Sequence, residues 1–259
     1  MNNKELKTYL DKLYLTYKDK HSSKDPVWIL HEFHEAKDIE IAGLITSCYA
    51  YGQVERINIF VKKFLMNINF KVHEFTSNYS EHKDKKYLKE LNYRFNTADD
   101  LSLLLKNIKN VLKNYDSLQN LFIENYNEDQ INILPALNKF TENLNEFSDS
   151  ETYHGYLIPL SKNGSTCKRL NLYLRWMVRS TGIDKIDLGI WDKVDKSKLI
   201  MPVDTHIYKV SRKLKLVNRN TCDMKFALEL TNKLKKFDPD DPVKYDFAMC
   251  HAGIDKVII

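Results

Sequence analysis

The amino-acid sequence predicts an all-α fold. Three observations lead to this prediction: only seven glycines and six prolines occur in 259 residues, Leu, Lys and Asn are abundant, and apolar residues recur at helical spacing. An all-β or Rossmann design would need many more turn-forming residues. With 43% hydrophobic residues, the chain has the composition of one globular unit or of two small lobes.

The first predicted helix covers residues 4–20, whose apolar side chains are spaced by three and four. Residues 38–51 are apolar on nearly every side, as in a helix buried in the core. Gly52 and Gln53 interrupt this helix. Residues 54–65 then carry an apolar stripe, which predicts a helix that packs through one face.

Further helices are predicted over residues 101–112, 117–122 and 129–147. Two acidic residues precede the first of these, and a helix N-terminus favours negative charge at that place. The polar segment 148–151 is predicted to be a connection.

Positive charge is concentrated in residues 160–220, which hold 14 Lys and Arg against five acidic residues. This segment carries a net charge of +9, whereas the rest of the chain carries −4. A local excess of positive charge predicts a face that binds a polyanion. The simpler alternative is a lysine-rich surface that meets only solvent.

The sequence argues against several classes of protein. The four cysteines are far apart, which is unlike a disulfide framework, a zinc ribbon or a four-Cys iron–sulfur loop. His31 and His34 are three residues apart rather than four, so we expect no zinc-protease site and no metal there. No apolar stretch reaches the roughly 18 to 20 residues of a membrane helix, and the first residues lack a signal-peptide core, so we expect a cytoplasmic protein.

Residues 161–179 begin with a polar turn around Gly164 and continue as a helix. Lys168 and Arg169 stand in the first part of that helix. Backbone N–H groups at a helix start, together with cations, form a phosphate-binding arrangement. The alternative is that Gly164 only ends the preceding segment.

Asp204 precedes an amphipathic helical pattern at residues 207–214. Aspartate is a favoured N-cap residue, because its carboxylate accepts hydrogen bonds from the first N–H groups of a helix. On physical grounds alone, Asp204 could be a helix cap and nothing more.

Both segments resemble motifs of the helix-hairpin-helix DNA glycosylases, the superfamily of endonuclease III, adenine-mismatch glycosylase and 8-oxoguanine glycosylase. Residues 201–212, M-P-V-D-T-H-I-Y-K-V-S-R, resemble the V-D-T-H segment that holds the essential carboxylate. Residues 164–171, G-S-T-C-K-R-L-N, resemble the hairpin G-V-G-x-K-x-A-(D/N), in which bifunctional members carry a nucleophilic lysine. The resemblance implies Lys168 and Asp204 as the catalytic residues.

The resemblance also implies contacts with DNA. A turn that probes the duplex would be formed by Gly52 and Gln53, and residues 246–253 look like the last core helix of the superfamily. The chain as a whole resembles an uncharacterised bacterial family related to these glycosylases, notably in residues 93–101 and 237–247. The implied phosphate contacts of the hairpin are Lys162, Gly164, Ser165, Thr166 and Arg169.

The fold that the resemblance implies is one glycosylase-like unit with two lobes. A helical barrel over residues 36–180 would end in the hairpin, and residues 1–35 with 181–259 would form a second helical lobe. No iron–sulfur cluster is expected, because the chain stops just after Gly253, where endonuclease III begins its cluster loop. We expect a monomer without cofactor, associated with the nucleoid in the cytoplasm.

The implied activity is excision of a damaged base that has been flipped out of double-stranded DNA, with AP-lyase activity through a lysine Schiff base. Free lysine is almost wholly protonated at neutral pH, so a nucleophilic Lys168 would need burial, a helix N-terminus or neighbouring cations to favour its neutral form. A phosphate contact is the alternative role for this lysine.

Two departures from the superfamily pattern lead to further predictions. Thr166 stands in place of the second hairpin glycine, so one close approach of backbone to phosphate should be rearranged. Lys168 and Asp204 are 36 residues apart, about twice the spacing in endonuclease III-like members, and residues 180–198 are predicted to be a short helical insertion. The long spacing is shared with archaeal 8-oxoguanine glycosylases, which favours an oxidised purine, 8-oxoguanine, as the substrate.

Two other functions stay open from the sequence. One is a non-enzymatic helix-hairpin-helix DNA-binding protein, although simple phosphate binding would not need a carboxylate at Asp204. The other is an all-α scaffold that binds protein or RNA.

Overall fold

The prediction of an all-α fold is confirmed. The computed structural model describes residues 1–18, 25–145, 156–182 and 184–257. Every regular element in these ranges is helical, and the one β feature among them is an isolated bridge between Tyr93 and Asn96. No helix in these ranges is both long and apolar enough to cross a membrane.

Thirteen α-helices and three short 3₁₀ turns follow one another in the described part of the chain. The 3₁₀ turns are Lys85–Leu88, Ser161–Asn163 and Lys196–Lys198. The α-helices are α1 (Asn3–Tyr17), α2 (Val27–Leu30), α3 (Ala36–Cys48), α4 (Val54–Asn67), α5 (Val72–Asn78), α6 (Glu81–Asp84), α7 (Ala98–Tyr115), α8 (Leu118–Glu124), α9 (Leu134–Asn145), α10 (Lys168–Val178), α11 (Thr205–Lys213), α12 (Met224–Lys235) and α13 (Asp246–Ile254).

The chain divides into two compact units. Unit 1 holds Met1–Ser23, Glu128–Leu134 and Ser161–Ile259, and unit 2 holds Lys24–Asn127 and Pro135–Leu160. The lobe bounds that the resemblance implies stay a prediction. In the compact units, the segment that contains α10 is grouped with both ends of the chain.

In unit 1, α13 packs against α1 and α11. Helix α1 begins with a capping box, in which the Asn2 side chain accepts from the N–H of Glu5 and the Glu5 carboxylate accepts from the N–H of Asn2. Its apolar face is buried, and the Tyr245 hydroxyl at the start of α13 donates to the Asp11 carboxylate at 2.7 Å. The predicted end of this helix at residue 20 lies outside the described residues.

In unit 2, α3 packs against α2 and α5, and α7 packs against α5 and α8. Ten of the 13 residues of α3 are buried, which confirms the prediction of a helix surrounded by the core. One of them is the acid Glu40, whose carboxylate accepts from the N–H groups of Leu118 and Gln119 at 3.0 and 2.7 Å. The buried charge is therefore placed at the N-terminus of α8, where the helix dipole favours it.

The prediction of a helix over residues 129–147 is wrong at its start, because α9 covers Leu134–Asn145. The residues before it make other hydrogen bonds: the Asn132 side chain accepts from the first N–H of α9 at 3.0 Å, and the N–H of Ile133 donates to the carbonyl of Lys198 at 3.1 Å. The predicted helix end and the connection at 148–151 lie outside the described residues.

The prediction of a short helical insertion over residues 180–198 is also wrong for the part that the structure describes. There the chain forms turns, and its one helical piece is the 3₁₀ turn Lys196–Lys198. The N–H groups of Leu188 and Gly189 both donate to the carbonyl of Trp176, at 2.8 and 3.1 Å. In a helix over this segment, the same two N–H groups would instead donate to carbonyls of the segment itself.

Candidate active site

Asp204 lies at the N-cap of α11 with extended backbone geometry. Its Oδ1 atom accepts from the N–H of Ile207 at 2.8 Å, and the sequence prediction of a helix cap is confirmed. Its Oδ2 atom lies 3.6 Å from the Cys250 thiol sulfur on α13. The carboxylate is half-buried, and the helix N-terminus stabilises its negative charge.

Lys168 is the first residue of α10 and is half-buried. The turn before it has left-handed backbone at Gly164, with φ of +82°, and at Cys167, with φ of +48°. The Ser165 hydroxyl oxygen accepts from the N–H of Cys167 at 3.0 Å, which fixes the last residue before the helix. The predicted glycine turn followed by a helix is confirmed in this local sense.

Thr166 connects this turn to the segment before Asp204. Its hydroxyl donates to the carbonyl of Val203 at 3.2 Å, and its own carbonyl accepts from the Asn171 side chain at 3.0 Å. The left-handed backbone conformations of this turn occur at Gly164 and Cys167 and not at Thr166, so position 166 does not require glycine. Thr166 therefore joins the turn before α10 to the segment that leads into α11.

A second acidic residue of this region, Asp246, was not among the predicted site residues. It begins α13, is 4% exposed and accepts a hydrogen bond from the Arg175 guanidinium. Burial raises the pKa of Asp246 to about 6. The positive charges of Arg175 and Lys168 oppose this rise in pKa, whereas the negative charge of Asp204 adds to it. Lys168 and Asp204 both belong to unit 1, and residues shortly before them, Thr166 and Val203, are joined by a hydrogen bond.

Arg175 and Arg179 do not belong to a solvent-exposed basic face, and this corrects the charge argument made from the sequence. Both are buried, with 3% and 2% exposure. Although burial lowers the pKa of Arg179, the surrounding carboxylates raise it well above its ordinary value. The ion pairs join Arg175 to Asp187 at 3.1 Å and to Asp246, and Arg179 to Asp184, Asp187 and Asp241 at 2.7, 2.9 and 2.9 Å.

The net charge of residues 160–220 stays the same when their buried arginines and aspartates are left out of the count. Two of the acids of that segment, Asp184 and Asp187, neutralise the two buried arginines. Without these four residues the segment still has 12 basic against three acidic side chains, a net charge of +9. The positive charge therefore comes from other residues, among them the exposed Lys162.

Four of the five predicted phosphate contacts lie on the turn before α10, and the fifth, Arg169, is the second residue of that helix. Lys162 and Gly164 are exposed, and the N–H of Gly164 donates to the carbonyl of Ser161 at 3.0 Å. In the described part of the chain, the N–H groups of Ser165 and Thr166 make no hydrogen bond. Two backbone donors thus remain available beside the cations at this turn.

The family described as "Protein of unknown function (DUF2400)" matches residues 25–255. The chain belongs to this family. No curated protein and no solved structure matches the chain. The description of the DUF2400 family names no activity.

The predicted duplex-probing turn of this DUF2400 protein lies in unit 2, whereas the hairpin turn lies in unit 1. Gly52 has φ of +93°, and a Cβ atom there would lie 2.8 Å from the Arg94 guanidinium and 3.0 Å from the Tyr93 hydroxyl. Glycine is therefore required at this position. Gln53 is the exposed N-cap of α4, and its side chain makes no capping hydrogen bond.

Two tryptophan rings and one thiol of unit 1 do not reach the surface. Trp176 and Trp191 are buried, so neither ring is presented on the surface to stack on a base. Burial raises the pKa of the Cys167 thiol to about 11, which keeps the thiol neutral. No group of three or more His, Cys, Asp or Glu side chains in the described ranges is arranged to hold a metal ion.

Proposed function

We propose that this protein is a DNA N-glycosylase with AP-lyase activity and a helix-hairpin-helix glycosylase-like fold of two helical lobes. Its substrate would be duplex DNA with an oxidised purine, and 8-oxoguanine is the first lesion to test. The observation that carries the proposal is the hydrogen bond between Thr166 and Val203. It joins the turn before Lys168 to the segment that ends in the helix-capping carboxylate Asp204.

The turn before α10 supplies groups suited to a DNA phosphate. The N–H groups of Ser165 and Thr166 would donate to phosphate oxygens at the start of the helix, and Lys162 and Arg169 would add positive charge. Phosphate contacts of this kind would offset the few kcal/mol that extrusion of a base costs.

Asp204 would act on the sugar. Cleavage of the N-glycosidic bond develops positive charge at C1′, and a fixed carboxylate stabilises such an oxocarbenium-like centre. Its hydrogen bond from Ile207 at 2.8 Å holds the carboxylate in one orientation before the reaction begins. The base departs with the bonding electron pair and takes up a proton.

Lys168 would act as the nucleophile. Its neutral amine forms a bond to C1′ as the base leaves, and the sugar ring oxygen then departs from C1′ with a proton to give an imine. Removal of a C2′ proton expels the 3′ phosphate and cuts the strand. Water finally hydrolyses the imine and restores the amine.

The test is borohydride trapping of the full-length protein on labelled duplexes that contain 8-oxoguanine, another oxidised base, uracil or an abasic site. We expect a lesion-dependent covalent band that is lost in Lys168→Gln. Lys193→Gln is the matched control, because it removes an exposed lysine of the same basic segment and should leave the band intact.

Two outcomes would overturn parts of the proposal. A covalent band that persists in Lys168→Gln places the nucleophile elsewhere. Absence of trapping and of alkali-revealed cleavage on every duplex, with salt-sensitive duplex binding retained, would make the chain a non-enzymatic DNA-binding protein.

A further inference from the structure

Three aromatic side chains of unit 2 form a cluster that is open to solvent, and we call Tyr51, Phe95 and Tyr156 the aromatic cluster. Phe95 and Tyr156 are 58% and 43% exposed, and their ring centroids lie 4.3 Å apart in an edge-to-face arrangement. The Tyr51 ring contacts both, with centroid distances of 5.6 Å to Phe95 and 5.0 Å to Tyr156. All three residues belong to unit 2.

The aromatic cluster is attached to a buried layer of rings. Tyr51 packs edge-on against Tyr93 at 5.0 Å, and Tyr93 in turn contacts Phe60 at 5.5 Å. Both Tyr93 and Phe60 are buried. The Tyr93 hydroxyl donates to the Tyr51 carbonyl, and the Tyr51 hydroxyl donates to the side-chain oxygen of Asn96. The central ring of the cluster is thereby held in place before any ligand binds, which lowers the entropy cost of binding.

Phe95 lies at the tip of a tight turn together with Arg94. The N–H groups of Tyr93 and Asn96 donate to each other's carbonyls at 2.8 and 2.9 Å, so Arg94 and Phe95 are the two central residues of the turn. Arg94 has left-handed backbone, with φ of +57°, a conformation that favours glycine, asparagine or aspartate in such turns. An exposed arginine in a strained conformation indicates a functional side chain.

The charge of Arg94 is not neutralised by a carboxylate. Its guanidinium carbon lies 5.7 Å from the centroid of the Tyr51 ring, and the residue is exposed. Within the described ranges Arg94 makes no ion pair, so its charge is available to an anion that approaches the aromatic cluster. Several exposed lysines of the same unit do pair with carboxylates: Lys62 with Glu32, Lys63 with Glu90, and Lys71 with Glu74.

Exposed rings next to an available cation match the chemistry of a nucleotide that is not in a duplex. Every nucleobase has a flat π face that stacks on an aromatic ring, and each nucleotide brings an anionic phosphate. Bases of a single strand can be splayed out onto such rings, whereas those of a duplex are stacked on one another. We propose that the aromatic cluster is a stacking site for bases of a single nucleic-acid strand, with Arg94 contacting a phosphate of that strand.

This site requires neither a damaged base nor the amine chemistry proposed for Lys168. It would add a binding activity for single strands, in unit 2, to the duplex chemistry proposed for unit 1. Because stacking depends on the π face and not on the identity of the base, binding should tolerate different sequences.

The experiment compares two labelled oligomers with the full-length protein. One is an oligothymidylate of about 12 nucleotides, and the other has the same number of phosphates but propanediol units in place of the nucleosides. Fluorescence anisotropy gives a dissociation constant for each. Their ratio measures the contribution of the bases, because the phosphates are common to both oligomers. The wild-type protein should bind oligothymidylate more tightly.

Two variants remove a ring of the aromatic cluster and keep an apolar side chain. Phe95→Leu and Tyr156→Leu should each reduce the ratio by about fivefold or more, the lower end of what one base–aromatic stack contributes. Phe95→Trp keeps a π face and should keep the ratio. Tyr87→Leu is the matched control, because Tyr87 is an exposed aromatic residue of unit 2 that has a cation, Lys86, 5.0 Å from its ring centroid but packs against Phe75.

The outcomes separate this inference from its alternatives and from the glycosylase proposal. A wild-type ratio in both Phe95→Leu and Tyr156→Leu would overturn the proposal and leave a protein partner as the occupant of this surface, and an equal fall in Tyr87→Leu would overturn it as well. Lys168→Gln should keep the ratio, so a failed glycosylase assay would not affect this result. Oligouridylate of the same length distinguishes the two sources of a single strand: base-dependent binding of either supports the proposal, and the tighter one identifies the preferred strand.

Photochemical cross-linking locates the contact without any variant. One thymine of the oligothymidylate is replaced by 5-iodouracil, and the irradiated complex is digested and analysed by mass spectrometry. We expect the base to be joined to the peptides that contain Phe95 or Tyr156. Adducts found only on other peptides would contradict the proposal.

Discussion

Asp204 combines a folding role with a proposed chemical one. Its Oδ1 atom caps α11 through the N–H of Ile207, and its Oδ2 atom faces the Cys250 thiol. Asparagine caps helices about as well as aspartate does, but it carries no negative charge. A single substitution can therefore remove the proposed chemistry while it leaves the helix cap in place.

For Asp204→Asn we expect base excision to fall by at least about 100-fold, since a fixed charge at the reacting centre is removed. Duplex affinity should hold or rise, because a negative charge near phosphate is lost. Single-turnover base release and fluorescence anisotropy with the same duplex measure the two effects. Asp223→Asn is the control, because Asp223 caps α12 through the N–H of Phe226 in the same way and should leave excision unchanged.

Prediction from sequence at the residue scale succeeded where the relevant residues are close together in the chain. The cap at Asp204 and the turn before Lys168 each depend on a few consecutive residues. Asp246 was missed because its charged neighbours come from three separate segments that only the fold brings together. Arg175 and Arg179 were misassigned because a count of charges along the sequence carries no information on burial.

Helices with strong apolar spacing were predicted well, and those defined by tertiary hydrogen bonds were not. Helices α3 and α4 lie close to their predicted bounds. The start of α9 and the turns of residues 180–198 depend on bonds to distant carbonyls, those of Lys198 and Trp176, which no local pattern reveals. Helix α12 was not predicted, although an aspartate cap and apolar spacing mark it in the sequence.

Two tyrosine hydroxyls of helix α1 add to the Tyr245–Asp11 hydrogen bond that joins this helix to the rest of unit 1. Tyr14 donates to Asp184 at 2.7 Å, and Tyr17 donates to Asp255 at 2.9 Å. Burial, and next the hydrogen bond to the carboxylate, raise the pKa of each tyrosine to about 12. Since an unfolded tyrosine ionises near pH 10, this stabilisation is fully present below pH 10 and is lost as the pH rises through 12.

We therefore expect the free energy of unfolding to decrease between about pH 10 and pH 12, and to decrease less in Tyr14→Phe. At pH 7, Tyr14→Phe should cost about 1.5 to 3 kcal/mol, the range for a hydrogen bond to a charged group. Urea unfolding followed by circular dichroism at pH 7, 9 and 11 measures both effects. Tyr87→Phe removes a hydroxyl that makes no hydrogen bond in the described part of the chain, and it should match wild type.

At the scale of the whole molecule, the net charge of +5 conceals a strongly basic segment. Residues 160–220 retain their net charge of +9 after the buried arginine–aspartate pairs are set aside, and the rest of the chain is negative. Lysine and arginine side chains that neutralise phosphates release bound counterions from DNA, so affinity for a duplex should depend steeply on salt.

We expect the logarithm of the duplex association constant to fall linearly with the logarithm of salt concentration, with a slope of about −0.9 for each phosphate neutralised. Lys162→Gln and Arg169→Gln should each reduce the slope by about one. Anisotropy titrations between about 50 and 200 mM KCl measure it. Lys37→Gln removes an exposed lysine of α3 in unit 2 and serves as the control; a slope that neither hairpin variant changes would remove the turn from the DNA-binding surface.

The pairing of α1 with α13 has a consequence for synthesis on the ribosome. Helix α13 begins 229 residues after α1 ends, so at ordinary translation rates α1 emerges on the order of 10 to 50 s before its partner. The segments of unit 2, Lys24–Asn127 and Pro135–Leu160, are complete well before that. During this interval the apolar face of α1, which includes Leu6, Leu10 and Leu13, lacks its final partner, and a nascent chain arrested before α13 would present it to chaperones.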